Sequence, residues 1–98
     1  MASSTLEWLR EKRAEILDVA ARHGAAKVRV FGSVAREQDS RESDIDFLVA
    51  VGPETSSWFP AGLILDLESL LSRRVEVVTE AGLDPLLRQS VFHEAVPL

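Results

Sequence analysis

The run Ser43-Asp44-Ile45-Asp46-Phe47-Leu48-Val49 sets two carboxylates two residues apart at the head of an apolar stretch. Residues at i and i+2 of a strand share a face, so Asp44 and Asp46 stand side by side while Ile45 and Phe47 turn toward a core. Carboxylates held that close repel unless a positive charge lies between them. Magnesium suits such a pair, because it takes oxygen ligands and keeps positions open for phosphate oxygens. The plainer reading is a polar strand end with both aspartates hydrated. Strands disfavour aspartate, however, and two at one strand head call for a reason.

Two further features could join this chemistry. Phe31-Gly32-Ser33 follows a β-rich run and precedes a short helix-compatible segment. Glycine lets backbone approach a ligand closely, and free N–H groups at the following turn favour an anion, phosphate above all. Ser33 adds a hydroxyl donor, and Arg36, one turn on, adds a positive charge. Alone, Gly-Ser reads first as a tight turn with a serine cap. Glu76 interrupts Val75, Val77 and Val78, so alternation sets it on the face opposite Val75 and Val77. If its strand neighbours the Asp44–Val51 strand, Glu76 completes a three-carboxylate site; otherwise it is an exposed glutamate on a half-buried strand.

The elements that must position these residues are legible in outline. Ser4 and Glu7 fit a capping box, and Leu6, Leu9, Ile16, Leu17 and Ala20 recur at helical spacing, so a helix is expected over about residues 5–23, stopped by Gly24. Lys27–Phe31 reads as a strand with Val28 and Val30 on one side, and Val34–Gln38 as a short helix. Asp39–Ser43 is turn-like, and Asp44–Val51 reads as a central strand. Gly52-Pro53 ends that strand, and residues 52–60 form an irregular loop before a helix opened by Pro60, with Leu63, Leu67, Leu70 and Leu71 inward. Val75–Val78 is a third strand, and Pro85 opens a last helix with Leu86, Leu87, Val91 and Phe92 inward. The order α-β-α-β-α-β-α predicts an α/β (α+β) fold: a small mixed sheet of about three to four strands with helices packed on it.

Composition bounds what this frame can do. The chain has 98 residues, 46% apolar and 28% charged, which fits one domain over 1–98 and leaves no room for a second substrate-binding domain. It has no cysteine, which excludes disulfides, thiolate zinc sites and cysteine nucleophiles. Its two histidines, His23 and His93, are far apart in sequence and read as helix-end residues that complement the dipole. Eleven basic against sixteen acidic residues give a net charge of −5, which argues against a direct grip on nucleic acid. No run approaches the roughly 18 apolar residues of a membrane span. The start, Met1-Ala2-Ser3-Ser4-Thr5, shows no apolar signal core, so a cytoplasmic protein without a membrane role is expected. Trp8 reads as packing, Trp58-Phe59 as a loop tucked on the core or a partner anchor, and Arg73-Arg74 as a solvated helix end.

Taken jointly, Val30-Phe31-Gly32-Ser33-Val34-Ala35-Arg36 followed by Ser43-Asp44-Ile45-Asp46-Phe47-Leu48-Val49 resembles the DNA polymerase β-like nucleotidyltransferase superfamily, and more narrowly its minimal nucleotidyltransferase (MNT) antitoxins. The resemblance extends over nearly the whole chain, through Arg74-Val75-Glu76-Val77-Val78 to Pro85-Leu86-Leu87-Arg88. It implies that Gly32 and Ser33 hold a nucleoside triphosphate, with Arg36 beside them, and that Asp44 and Asp46 bind metal, two Mg²⁺ ions in all. It places Glu76 where the family has its third carboxylate, a metal ligand and general base. Two positions depart from the family pattern: the third carboxylate is usually aspartate, and a glycine often stands where this chain has Glu37, a negative charge near the expected phosphate site. The implied function is transfer of AMP from ATP to a hydroxyl, tyrosine foremost, of a HEPN-type toxin. The size of the chain agrees, since its acceptor must come from another protein. The alternatives are an antitoxin that neutralises by binding alone, and a small-molecule nucleotidyltransferase, against which the missing substrate domain argues.

Overall fold

The structure, a computed structural model, describes residues 4–98. Met1 to Ser3, part of the stretch read above for a signal segment, lie outside the described residues. The chain opens at the expected cap: Ser4 Oγ accepts the Glu7 N–H at 3.1 Å. Helix α1 (Thr5–Glu11) and helix α2 (Arg13–Arg22) replace the single helix expected over 5–23. Lys12 separates them, its N–H shared between the Trp8 and Leu9 carbonyls at 3.2 and 3.1 Å. Such a forked bond belongs to a tightened turn, and hydrophobic spacing cannot register a one-residue break. Gly24 stops α2 with φ +86°, and a Cβ there would lie 2.1 Å from the Glu54 carbonyl oxygen. His23 does more than complement a dipole: its ring meets Ser56 Oγ at 2.5 Å and Asp66 Oδ2 at 2.7 Å, tying the 52–60 loop to the helix that follows.

Strand β1 (Ala25–Phe31) begins two residues earlier than expected, because a bulge between Ala26 and Arg29, with Lys27 at φ +49°, breaks the alternation. A four-residue helix, α3 (Gly32–Ala35), follows at once, earlier than the expected Val34–Gln38. Then come β2 (Ile45–Val51), α4 (Ala61–Leu71), β3 (Val75–Thr79), α5 (Pro85–Glu94) and the two-residue strand β4 (Val96–Pro97). The sheet order is β3-β2-β1-β4. β1 runs antiparallel to β2 and β4, and β2 runs parallel to β3, with α4 as the crossover that a parallel pair requires. This is the mixed sheet expected from the element order, with β4, too short for any alternation signal, as its added edge.

One face of the sheet carries the core. Val28, Val30, Ile45, Phe47, Val49, Val75 and Val77 are buried against Leu6, Leu9, Ile16, Ala20, Leu63, Leu67 and Leu71 of α1, α2 and α4. Helix α5 does not join it. No α5 residue is buried, and Leu86 and Leu87 are 90% and 56% exposed, so the expected inward face of Leu86, Leu87, Val91 and Phe92 is corrected to the half-buried Val91 and Phe92 alone. The sequence pattern shows that α5 has an apolar side but not whether a neighbour covers it. The Trp58-Phe59 pair also divides: Phe59 packs on the core, and Trp58 is 88% exposed. Among the described residues no helix is long and apolar enough to cross a membrane.

Candidate active site

The sheet face opposite the core gathers the acidic residues singled out in the sequence. Asp46 lies one residue into β2, where its Cα pairs with Phe31 of β1 on one side and with Glu76 of β3 on the other. Strand pairing therefore brings Glu76 beside Asp46, as the three-carboxylate reading requires. Asp44 sits just before β2, exposed, with Arg74 Nε 3.2 Å from its Oδ1. Asp46 is half-buried, and its carboxyl is pushed up to about 6. Burial is the first cause, followed by the charge of Glu76, a hydrogen bond with Glu76, and the charges of Asp44 and Glu94. Among the described residues no cation pairs with Asp46, so its negative charge goes unbalanced.

Gly32 explains how close the phosphate-type turn comes to these carboxylates. Its φ is +73°, and a Cβ on it would lie 2.2 Å from Asp46 Oδ2. Only glycine admits both the backbone conformation and the contact. The Gly32 N–H donates at 2.8 Å to Glu94 Oε2, and the Arg36 guanidinium pairs with Glu94 Oε1. Burial works to raise the Glu94 carboxyl, but the Gly32 N–H and Arg36 outweigh it and hold it below the usual carboxylate value. Gly32 and Arg36, the candidate triphosphate binders, are therefore already shown to hold an anionic group, here a carboxylate. Ser33 follows Gly32 in α3 and is half-buried. Glu37 takes φ +56°, a conformation natural to the glycine of the family pattern, and its side chain lines a surface hollow of about 400 Å³ with Asp39 and Arg73.

Two contributors escaped the sequence reading. Glu94 is one of sixteen acids in the chain and carries no motif of its own, and only the pairing of β4 with β1 returns it to Gly32. Arg73, expected to be solvated, is largely buried and donates to Thr5 Oγ1 at 3.2 Å, Asp39 Oδ2 at 3.3 Å, the Ser40 carbonyl at 2.9 Å and the Ser43 carbonyl at 2.8 Å. Its neighbour Arg74 donates to the Glu42 carbonyl at 3.1 Å. The pair fastens the 39–44 loop that delivers Asp44. A dipeptide of arginines gives no hint of this, because its partners are backbone carbonyls set by the loop's course.

Among the described residues no three His, Asp or Glu side chains are drawn together into a ready ligand cage. The donor chemistry nonetheless fits a hard divalent ion: Asp44, Asp46 and Glu76 offer only carboxylate oxygens, and the raised Asp46 marks charge that such an ion would relieve.

Residues 9–98 match the family model described as the nucleotidyltransferase domain. The chain belongs to that family. It is 34% identical over 88 residues to MJ0435 of Methanocaldococcus jannaschii, named as a candidate protein adenylyltransferase, over 90% of this chain and 95% of that protein. A solved structure described as a candidate minimal nucleotidyltransferase superposes with a TM-score of 0.83 at 50% identity, covering 95% of each chain. A toxin–antitoxin structure with AMP-PNP shares the fold at a TM-score of 0.70 and 24% identity, over 89% of this chain and 69% of that one. A chain of a solved complex described as a tri-AMPylated Shewanella oneidensis HEPN toxin with an MNT antitoxin shares it at 0.64 and 21%, over 93% and 69%. The nucleotidyltransferase is thus recognised by fold and by sequence over nearly its whole length.

Proposed function

We propose that this nucleotidyltransferase is the antitoxin of a toxin–antitoxin pair and transfers AMP from ATP to a hydroxyl, tyrosine foremost, of a HEPN-type toxin. The observation that carries the reading is the contact of Gly32 with Asp46, which sets an anion-accepting turn against a carboxylate cluster. In this reading residues 1–98 act as one domain. Gly32, Ser33 and Arg36 hold the β- and γ-phosphates, and Asp44, Asp46 and Glu76 hold Mg²⁺. When bound, Mg²⁺ would supply the positive charge that steadies the α-phosphate and the departing pyrophosphate. Glu76, exposed near the start of its strand, would take the proton of the incoming hydroxyl. The bond formed joins that oxygen to the α-phosphorus, and the bond broken releases pyrophosphate. MJ0435 supports protein as the acceptor class, and the HEPN–MNT complex supports the partner. The exposed Asp44 and Glu76 leave the site open to an acceptor delivered by another protein.

A second reading, neutralisation by binding alone, is favoured by one observation: Glu94 stands on the N–H and guanidinium that a triphosphate would need. Incubation of the chain with labelled ATP, Mg²⁺ and a host lysate decides between them. Transfer predicts a labelled protein band that disappears with Asp46→Asn. Absence of a band with the HEPN partner shown to be present would overturn transfer in favour of occlusion.

A further inference from the structure

We infer that Glu94 is a built-in competitor for the triphosphate: its carboxylate takes the place of a phosphate on Gly32 and Arg36, and nucleotide binding must expel it. The inference rests on the nucleotidyltransfer reading of the site and concerns what sets its affinity. Both carboxylate oxygens are committed, Oε2 to the Gly32 N–H at 2.8 Å and Oε1 to the Arg36 guanidinium. Glu94 gains this position despite like charge nearby, since it is among the acids that push Asp46 up. Its two donors are what hold it there, and charge-assisted donors of this kind bind a more highly charged phosphate tail better than a single carboxylate.

The rest of α5 is built to let go. None of its residues is buried, and its first turn exposes Leu86 and Leu87. Apart from Glu94 and the pairing of β4 that follows it, α5 is held by the half-buried Val91, by Phe92 near the Arg29 and Arg88 guanidinium groups, 5.4 and 5.0 Å from the ring centre, and by Arg88 on the Glu80 carbonyl at 2.8 Å. These contacts lie near the surface, where local opening costs far less than global unfolding. Expelling Glu94 therefore frees the last turn of α5, so ATP loosens this helix. A ligand that merely covers a site slows exchange nearby, so the expected response has the opposite sign.

The test is calorimetric titration of the full chain with ATP and Mg²⁺, for the wild type, Glu94→Gln and Glu94→Ala, with amide hydrogen exchange of α5 in each. If the carboxylate occupies the site nine-tenths of the time, its removal tightens ATP binding roughly tenfold. Glu94→Ala is expected to show that gain, Glu94→Gln part of it. Exchange of α5 is expected to quicken with ATP in the wild type and to be fast already in Glu94→Ala. Affinity in both variants equal to or below that of the wild type overturns the inference while leaving the nucleotide site in place. If Glu94→Ala does not fold, the isosteric Glu94→Gln decides by the same criterion. Failure of all three folded proteins to bind ATP overturns the nucleotide-site reading itself, and the inference with it.

Discussion

At the scale of single residues, the site turns on the contact between Gly32 and Asp46. The glycine is irreplaceable for two separate reasons, a left-handed backbone and a carboxylate oxygen where a Cβ would stand. Gly32→Ala is expected to cost at least about 2 kcal/mol from backbone strain and the displaced carboxylate, read by urea denaturation, and to abolish ATP binding, read by calorimetry. A folded variant of unchanged stability would show that the contact relaxes freely. Asp46 is the complementary case. Its carboxylate is held against burial and the charge of Glu76, so the residue that the chemistry needs is one that the fold would be more stable without. Glu37 shows the same tension in the backbone, because a residue with a side chain occupies a conformation that suits glycine.

At the scale of elements, β2 and the loop before it carry the acids, and they are aligned from two sides. The register of β3 sets Glu76 beside Asp46, while Arg73, between α4 and β3, fastens the loop before β2. Arg73→Met keeps the aliphatic stem and removes the donors. It is expected to destabilise the chain by about 2–3 kcal/mol, since two loop carbonyls and Asp39 lose a charged partner. Transfer activity should fall further than stability alone explains, seen as a raised requirement for Mg²⁺ at a temperature where the variant is folded. An unchanged Mg²⁺ requirement would confine Arg73 to a stabilising role. Helix α5 differs in kind: its weak packing makes it an attachment of the sheet rather than part of the core.

At the scale of the whole molecule, the cluster of acids makes stability depend on pH in a definite direction. Asp46 rises from 3.8 to about 6 on folding, so the folded state binds more protons than the unfolded chain between those values. Stability from this group is fully present below pH 3.8 and is lost as pH rises through about 6. Glu94 acts oppositely: its carboxyl is lowered from 4.5, so its contribution is present above that value and is lost as pH falls through its folded value. Between about pH 7.5 and 5 the Asp46 effect prevails, worth about 1 kcal/mol after allowance for solvent screening of a half-buried carboxylate. The melting temperature of the wild type should therefore rise several degrees more than that of Asp46→Asn over this interval. Parallel pH profiles for the two proteins would refute the placement of uncompensated charge at Asp46.

The sequence by itself determined the chemistry on offer and most of the frame. Period-2 and helical spacing are local, so the strand with Asp46, the Leu63-Leu67-Leu71 stripe of α4 and the Ser4 cap could be read directly. The motif from Gly32 to Asp46 pointed to the nucleotidyltransferase family because its residue types and spacing follow the chemistry of phosphate and metal. What lay beyond reach was contact between distant segments. Spacing cannot tell that β4 returns Glu94 to Gly32, that the partners of Arg73 are loop carbonyls, or that the apolar side of α5 meets water. An apolar stripe is written in the chain, but its burial depends on whether another element arrives to cover it. The registers of β2 with β1 and β3 decide that Asp46 faces Glu76 on one side and Gly32 on the other, and that burial, with the charge of Glu76 after it, raises its carboxyl.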